Sequence, residues 1–191
     1  MADSIRLAHE GDARPIAAIY GAIVRETPIS FEVEPPDDAE IAQRIRQTLV
    51  QYPWLVYERD GRVVGYAYAS QYHVRAAYQW SVNVTVYIDE RCRRAGVGRA
   101  LYTSLFRILV KQGYYNAYAG ITLPNPGSVG LHEAMGFVPV GVYRLVGFKF
   151  GRWHDVGWWQ LALQEKIDVP ALPRPIAEIH GSPNWSALLE V

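Results

Sequence analysis

A basic segment with two glycines, residues 91–99 with the sequence RCRRAGVGR, is the part of this chain best suited to bind an anion. Gly96 and Gly98 let the main chain turn tightly, so that its N–H groups can point at a bound anion. The apolar spacing that follows predicts a helix, whose first turn adds a partial positive charge. Together with the four arginines, this combination predicts a pyrophosphate as the ligand.

Two well-known phosphate-binding patterns do not fit this segment. A P-loop needs Lys and then Ser or Thr after its last glycine, whereas Arg99 follows Gly98. The dinucleotide-binding fingerprint needs a third glycine, and Leu101 stands at that position. A basic turn ahead of an amphipathic helix, with no ligand at all, is the structural alternative.

The segment and its surroundings resemble the GCN5-related N-acetyltransferase superfamily (GNAT), and within it the group that acetylates phosphinothricin or methionine sulfone. Arg93, Gly96 and Gly98 match the acetyl-CoA-binding motif of the superfamily. The matches to the narrower group extend from about residue 5 to about residue 163 and include YPWLV (52–56), AYQW (77–80), LPN (123–125), HEA (132–134), GFK (147–149) and WHDVG (153–157).

The resemblance implies an α/β fold of the α+β kind, with a splayed central mixed sheet flanked by helices. Acetyl-CoA would be the co-substrate, with its pantetheine arm in the split and its pyrophosphate on the basic loop, and no metal is expected. Asn125 lies between two prolines, so a plain turn residue is its alternative role. The residues expected to contact acetyl-CoA are Val86, Tyr87, Ile88, Arg94, Ala95, Gly96, Val97, Gly98, Arg99, Asn125 and Ser128.

The resemblance also implies an N-acetyltransferase whose acceptor is the amino group of a small amino-acid-like molecule, such as phosphinothricin or methionine sulfoximine. Arg75 matches an arginine that would bind the acceptor carboxylate, because a planar guanidinium donates two hydrogen bonds at once. Phe31 matches an aromatic wall of the acceptor pocket. A solvated loop position for Arg75 and a core position for Phe31 are the structural alternatives.

Two residues carry the expectations about catalysis. His132 occupies a position where many superfamily members have a tyrosine that protonates the leaving thiolate, and an imidazole suits that step. A helix-face histidine bonded to a backbone carbonyl is the alternative. Asn83 is a departure, since the phosphinothricin acetyltransferases have a glutamate base there and an amide cannot take a proton. The base would then be water, His73, Glu34 or His132, unless the amine arrives neutral.

Two other functions stay open at this point. The acceptor could be a polyamine, an aminoglycoside or a protein amine, although an aminoglycoside site would need an acidic lining and Arg75 offers positive charge. The protein could also be a catalytically silent acetyl-CoA-binding sensor, since Asn83 replaces the family base. Turnover of acetyl-CoA with a panel of amines discriminates between these functions.

The elements that must position these residues follow from the periodicity of apolar residues. Alternation predicts strands at residues 4–8, 54–58, 62–69, 81–88, 114–121, 137–150 and 156–163. Helical spacing predicts helices after a capping Asp12, after Asp37, after Gly98, and from the LPNP break to about Met135. This order is typical of a single domain with a mainly antiparallel sheet and some parallel pairing.

The composition excludes several classes of protein. Half of the 191 residues are apolar and 20% are charged, which is typical of one globular domain. Lys and Arg balance Asp and Glu at 19 each, so bulk charge gives no support for binding nucleic acid or an anionic membrane. Cys92 is the single cysteine, which excludes an intrachain disulfide and fits the cytoplasm.

The organisation of the chain is expected to be one acetyltransferase domain, residues 1–164, followed by a proline-containing tail or packed arm, residues 165–191. The first ten residues lack the apolar run of a signal peptide, and no stretch is long and apolar enough to span a membrane. The abundant aromatic residues and the family resemblance favour a homodimer.

Overall fold

The predicted order of strands and helices is present in the computed structural model, which describes residues 3–190. The strands are β1 (Ser4–Leu7), β2 (Trp54–Arg59), β3 (Arg62–Gln71), β4 (Ser81–Ile88), β5 (Asn116–Leu123), β6 (Val138–Lys149) and β7 (Arg152–Ala162). The helices are α1 (Ala13–Glu26), α2 (Asp38–Thr48), α3 (Val97–Gln112), α4 (Pro126–Ala134), α5 (Ile176–His180) and α6 (Trp185–Leu188). The predicted fold class, an α/β fold with a mixed sheet, is confirmed.

The strands form one seven-stranded sheet in the order β1-β2-β3-β4-β5-β7-β6. Every neighbouring pair is antiparallel except β4 and β5, which run parallel and are paired only from Ser81 to Asn83 on β4. The predicted splay in the middle of the sheet therefore begins after Asn83. Beyond that residue the edge of β4 that faces β5 has no strand partner.

Two-residue turns close two of the hairpins. Asp60 and Gly61 have φ angles of 51° and 73°, and Phe150 and Gly151 have φ angles of 51° and 72°. Both pairs have the left-handed backbone that twists with the flanking strands. The second turn places the start of β7 at Arg152, four residues before the predicted position 156, because pairing resumes directly after the turn.

Each face of the sheet is covered by helices, and strand alternation decides which side chains each helix meets. On one face, Val82 and Val84 pack with Leu101, Leu105 and other apolar residues of α3. On the other face, α1 and α2 cover an aromatic cluster in which Trp54 stacks on Tyr66 and Tyr68. Tyr87 of this cluster contacts Tyr66 and Tyr20 of α1 at tilted angles. The alternation predicted for residues 81–88 is therefore present.

Asp12 is the N-cap residue of α1, as predicted, but its carboxylate makes no capping hydrogen bond to the helix. Its oxygens accept hydrogen bonds from both Nη atoms of Arg6 at 2.7 Å and from the main-chain N–H of His9 at 2.9 Å. Asp12 is buried, and a charged guanidinium is a stronger partner for a buried carboxylate than a helix amide. The carboxylate therefore ties β1 to the start of the helix.

The segment after β7 packs back onto the domain. Ile176, Ile179 and Leu188 are buried in the same apolar cluster as the inner face of α3. The side chain of Gln112, at the end of α3, donates to the main-chain oxygen of Arg174 at 2.8 Å. Within residues 3–190, no helix combines the length and apolar character needed to cross a bilayer. The division of the chain after residue 164 stays a prediction.

Candidate active site

The split between β4 and β5 forms a cavity of about 80 Å³, which we call the split cavity. Its lining comes from both diverging strands, from the start of α4, from α3 and from the loop after α1. It brings together five of the predicted residues: Val86, Tyr87, Asn125, Ser128 and His132. It also includes residues that the sequence reasoning missed: Ile29, Tyr102, Gly120 and Thr122.

His132 is buried, and both ring nitrogens are hydrogen-bonded. Nδ1 lies 2.8 Å from the main-chain oxygen of Ser128, and because a carbonyl can only accept, Nδ1 carries the proton. Nε2 is then the acceptor for the hydroxyl of Tyr102, 2.9 Å away. The carbonyl bond matches the structural alternative for this histidine, but its other nitrogen is directed at a hydroxyl of the split cavity.

Burial sets the protonation states of this pair. It lowers the pKa of His132, although the bond to Ser128 acts in the opposite direction. It raises the pKa of Tyr102, which has no exposed surface. Near neutral pH the pair therefore holds one proton between an imidazole acceptor and a phenol donor. Tyr102 lies among the apolar positions of α3, so its spacing predicts a core residue. The sequence pattern therefore gives no sign that Tyr102 donates a hydrogen bond to His132.

The start of α4 depends on Asn125. Its Oδ1 accepts a hydrogen bond from the main-chain N–H of Ser128 at 3.1 Å, and Pro126 occupies the first helical position. Both features are typical of a helix N-terminus. Asn125 therefore holds the helix that carries His132, in addition to lining the split cavity. Its predicted contact with acetyl-CoA stays a prediction.

Asn83 lies at the closed end of the split and is outside the lining of the cavity. Its Nδ2 donates to the main-chain oxygen of Gln71 at 3.1 Å. Its Oδ1 is buried and has no hydrogen-bond partner within the described residues. A buried acceptor without a donor is uncommon in proteins, and this oxygen is closed to solvent in the present arrangement of the side chain.

The basic loop has the conformation of an anion-binding helix start. Gly96 is the N-cap of α3 with φ of 81°, and no side chain caps the first turn. A Cβ on Gly96 would meet no atom within 4 Å, so the main chain is open to a ligand. The exposed residues Arg93, Arg94 and Arg99 form no salt bridge within residues 3–190. Arg91 is instead held by Asp89 at 2.7 Å.

Gly98 has a different role from Gly96. A Cβ on Gly98 would lie 2.9 Å from Cδ1 of Ile88 and 3.0 Å from Cδ2 of Leu131. Such distances are too short for a real side chain, so Gly98 lets α3 approach β4 and α4 closely. This contact places Ile88, which the cavity lining does not include, beside the basic loop.

The loop between α1 and α2, residues 27–37, borders the split cavity. Ile29 lines the cavity, and its main-chain oxygen accepts a hydrogen bond from Thr122 Oγ1 at 3.3 Å. Phe31 follows two residues later, is 37% exposed, and packs on Gly147 of β6. Phe31 is thus a surface aromatic at the edge of the site and is not a core residue.

The loop between β3 and β4 carries Arg75, which is exposed. Tyr72, at its start, stacks on Tyr118 of β5 with ring centroids 4.4 Å apart. At its end, the indole N–H of Trp80 donates to the main-chain oxygen of Ala171 at 2.8 Å. The loop is therefore fixed at both ends beside Tyr118, the strand partner of Asn83, and the carboxylate-binding role of Arg75 stays a prediction.

Of the alternative bases named from the sequence, His132 lines the split cavity, whereas His73 and Glu34 do not. His73 contacts the rings of Tyr72 and Tyr78, and Glu34 is an exposed residue of the α1–α2 loop. The neighbouring carboxylate of Glu32 is already paired with Arg44 at 2.8 Å. No cluster of three metal-ligating side chains occurs in the described part of the chain.

Comparisons with known proteins agree with this geometry. A phosphinothricin N-acetyltransferase from Streptomyces viridochromogenes is 39% identical over 175 residues, which cover 92% of this chain and 93% of that protein. An L-methionine sulfoximine/L-methionine sulfone acetyltransferase from Salmonella typhimurium is 32% identical over 163 residues, or 85% of this chain and 95% of that protein.

The solved structures include a similar GNAT superfamily phosphinothricin acetyltransferase from Sinorhizobium meliloti, crystallised in complex with acetyl-CoA. It superposes with a TM-score of 0.84 at 34% identity, and the match covers 90% of this chain and 94% of that one. The family model for the acetyltransferase (GNAT) domain matches residues 5–158. The resemblance noted from the sequence is confirmed, and the chain belongs to the GNAT family of acetyltransferases.

Proposed function

We propose that this protein transfers the acetyl group of acetyl-CoA to the amino group of a small amino-acid-like molecule. Phosphinothricin, methionine sulfoximine and methionine sulfone are the candidates, since similar proteins bear the names of enzymes that acetylate them. The observation that carries the proposal is the split cavity, where the free edge of β4 faces β5 and a proton-holding pair lines the wall.

The residues present fit acetyl-CoA, which would supply an acetyl thioester. The uncapped first turn of α3 and three exposed arginines, Arg93, Arg94 and Arg99, suit a pyrophosphate. The free edge of β4 from Val84 onward suits a pantetheine arm, because its amides can bond to an extended chain as a neighbouring strand would.

Tyr102 and His132 supply the proton chemistry in this proposal. Acetyl transfer to an amine requires a proton donor for the departing sulfur and a route for the proton of the amine. The raised pKa of Tyr102 keeps its hydroxyl protonated, and Nε2 of His132 orients that hydroxyl at the cavity wall. Because that hydrogen points at Nε2 of His132 in the resting pair, it would have to turn towards the departing sulfur to protonate it. The phenolate left behind would regain a proton from the nitrogen of the acetylated amine or from solvent.

The acceptor would bind between the two loops that flank the split. Arg75 would bind its carboxylate and Phe31 would cover its side chain, while Asn83 would orient the water or the amine from the closed end of the split. Among residues 3–190, no carboxylate lines the split cavity and could act as a base. The amine would therefore lose its proton to solvent or to another group.

The test is release of free CoA from acetyl-CoA in the presence of phosphinothricin, methionine sulfone, spermidine and an aminoglycoside. We expect turnover with the first two amines. Arg75→Ala should raise KM for a carboxylate-bearing amine by an amount equivalent to about 2–3 kcal/mol, since a charge-assisted pair is lost. Arg14→Ala, which removes an exposed arginine of α1, is the control. An equal effect of Arg75→Ala on amines without a carboxylate would contradict the assigned role.

A silent acetyl-CoA sensor is the second candidate, and Asn83 is the observation that favours it. The amide stands where the resemblance implies a glutamate base, and it cannot take a proton. Binding of acetyl-CoA by calorimetry, together with no CoA release for any amine in the panel, would favour the sensor over the enzyme.

We also propose that the protein is a cytoplasmic homodimer. β6 is the edge strand of the sheet and exposes apolar side chains along most of its length, among them Val138, Val140, Val142, Tyr143 and Phe148. A long apolar edge strand is a typical interaction surface. The single cysteine, Cys92, fits a reducing compartment.

A further inference from the structure

Lys149 is a buried ammonium group that the proposed reaction does not use. It is the last residue of β6 and is 6% exposed. Its Nζ donates to the main-chain oxygens of Val24 at 2.7 Å and Ser30 at 2.8 Å. Val24 lies in the last turn of α1, and Ser30 lies in the α1–α2 loop. The ammonium thus connects the end of a helix, the loop that follows it, and the tip of the β6–β7 hairpin.

The charge of Lys149 holds two main-chain carbonyl groups in place. Burying an ammonium is unfavourable unless it is well hydrogen-bonded, and within residues 3–190 no carboxylate forms a salt bridge with it. Burial lowers the pKa of Lys149, and Glu32 opposes this effect. An apolar side chain of equal length would fill the same space without this cost. The ammonium differs from it in binding two carbonyl groups, one of them at the negative end of α1.

The same end of β6 holds Phe31. A Cβ on Gly147 would overlap the Phe31 ring, so the aromatic ring lies directly on the main chain of β6. The ring of His154 flanks Phe31 with centroids 6.2 Å apart. Nε2 of His154 in turn donates to the main-chain oxygen of Lys149 at 3.0 Å. Gly147, Lys149 and His154 therefore form a clamp on the α1–α2 loop.

We propose that this clamp is a specificity-determining device, in which Lys149 and Gly147 are positioning residues that fix Phe31 as the wall of the acceptor site. The inference rests on the proposed function, because it assigns Phe31 to the acceptor. It adds that the shape of the acceptor pocket is set from the β6–β7 hairpin, which β5 separates from β4 in the order of the sheet. Ile29 of the same loop also lines the split cavity, so loss of the clamp should change acetyl-CoA affinity less than it changes the KM of the acceptor.

The experiment compares Lys149→Met and Gly147→Ala with two matched controls. Lys166→Met removes an exposed ammonium from the tail, and Gly141→Ala adds a methyl to β6 where no atom lies within 4 Å. The measurements are acetyl-CoA affinity by calorimetry, KM for methionine sulfone, and amide hydrogen exchange of residues 27–37. We expect both clamp variants to raise KM about tenfold and to speed exchange in that loop, with a clearly smaller change in acetyl-CoA affinity. The controls should change none of the three.

A double variant makes the test sharper. Replacing Phe31 by Leu removes the ring that a methyl at position 147 would displace. Gly147→Ala should therefore speed loop exchange less in the Phe31→Leu background than in the wild type, since contacting residues are not additive. This arm decides the question even where Lys149→Met does not fold.

Three outcomes separate the possible failures. Unchanged exchange of residues 27–37 in both clamp variants would overturn the clamp. Faster exchange with an unchanged KM, or with an equal loss of acetyl-CoA affinity, would overturn its role in specificity. Wild-type protein that acetylates no amine, with exchange still responding to the clamp variants, would overturn the proposed function and with it the acceptor role of Phe31.

Discussion

His132 is bonded through both ring nitrogens, and this decides what it can do near neutral pH. A ring whose Nδ1 donates to Ser128 and whose Nε2 accepts from Tyr102 is neutral. Protonation would give two donors, and Tyr102 would have to turn its hydroxyl hydrogen elsewhere. The histidine and the phenol therefore work as one unit whose proton count changes only when the pH falls below the usual range of an imidazole.

The buried His132 should make the protein less stable in mild acid. Burial lowers its pKa from the ordinary value of 6.5, so the unfolded chain takes up a proton at a higher pH than the folded one. The stabilising contribution is present above about pH 6.5 and is lost as the pH falls towards the lower folded pKa. Urea unfolding between about pH 5 and 8 should show this loss in the wild type, and His132→Gln should remove it. His180→Gln, at an exposed position, should leave the slope unchanged. A wild-type slope retained in His132→Gln would contradict the assignment.

Asn83 offers a second test at the scale of one side chain. Asn83 lies at the closed end of the split, so the longer carboxylate of Asn83→Glu places a proton acceptor nearer the cavity and loses the bond to Gln71. General-base assistance typically raises a rate about 10²–10⁴-fold. Both kcat and the part of its pH profile at low pH should therefore differ measurably from those of the wild type. The wild-type rate should keep rising with pH toward the pKa of the amine, unless His73, Glu34 or His132 serves as base.

The measurement is a pH–rate profile of the wild type and Asn83→Glu on one acceptor. Asn83→Asp is the matched control, because its carboxylate is one methylene shorter and should assist less. Identical profiles for all three proteins would show that position 83 does not touch the chemistry.

At the scale of elements, the two glycines of the basic loop have different roles, although the sequence presents them as equivalent. Gly96 needs its left-handed backbone and is open to a ligand, whereas Gly98 is closed by Ile88 and Leu131. The first is a position for binding, and the second is a position for packing α3 against β4. Substitution should therefore affect different properties at the two positions.

Gly96→Val should weaken acetyl-CoA binding at least tenfold, because a β-branched side chain strains the positive φ and obstructs the main chain. Gly61→Val is a matched control, since Gly61 also has a positive φ, 73°, and open surroundings, but lies in the β2–β3 turn. Both variants should lose a similar amount of stability, while only Gly96→Val loses affinity. Calorimetry and thermal unfolding measure the two effects, and a loss of affinity in Gly61→Val would show that strain alone is responsible.

The sequence predicted the individual strands and helices well, but it predicted the pairing of strands and the contacts between distant elements less well. Strand β4 was predictable because every second residue from Ser81 to Ile88 is apolar. The split beside it was not, because periodicity does not tell which strands pair or where pairing stops, and only the family resemblance implied it. Tyr102 was missed because helical spacing places it among core residues. The clamp at Lys149 was missed because its partners are more than 100 residues away.

At the scale of the whole molecule, the apolar edge of β6 is the feature that a single copy does not explain. Val140 is 58% exposed and Tyr143 is 59% exposed on a strand with no neighbour on one side. Side chains of this kind are stabilised by burial at about 25 cal/mol per Å² of apolar surface. A second copy of the chain placed against this edge would provide that burial.

Val140→Lys should therefore convert a dimer into a monomer. Light scattering coupled to size-exclusion chromatography should give twice the chain mass for the wild type and the single chain mass for the variant. Val169→Lys is the control, because Val169 is 86% exposed in the tail and lies outside β6. A wild-type monomer at micromolar concentration would contradict the proposed dimer.

The returning tail also decides when this chain can finish folding as it is made. Synthesis proceeds from the N-terminus, so β2, β3 and β4 can pair early, through neighbours close in sequence. Trp80 bonds to Ala171 and Gln112 bonds to Arg174, which are synthesised 91 and 62 residues later. Until then the side of α3 that later meets Ile176 and Leu188 is uncovered. The nascent protein thus presents a fixed apolar surface to chaperones while residues 113–175 are made, and the return of α5 and α6 to α3 closes it.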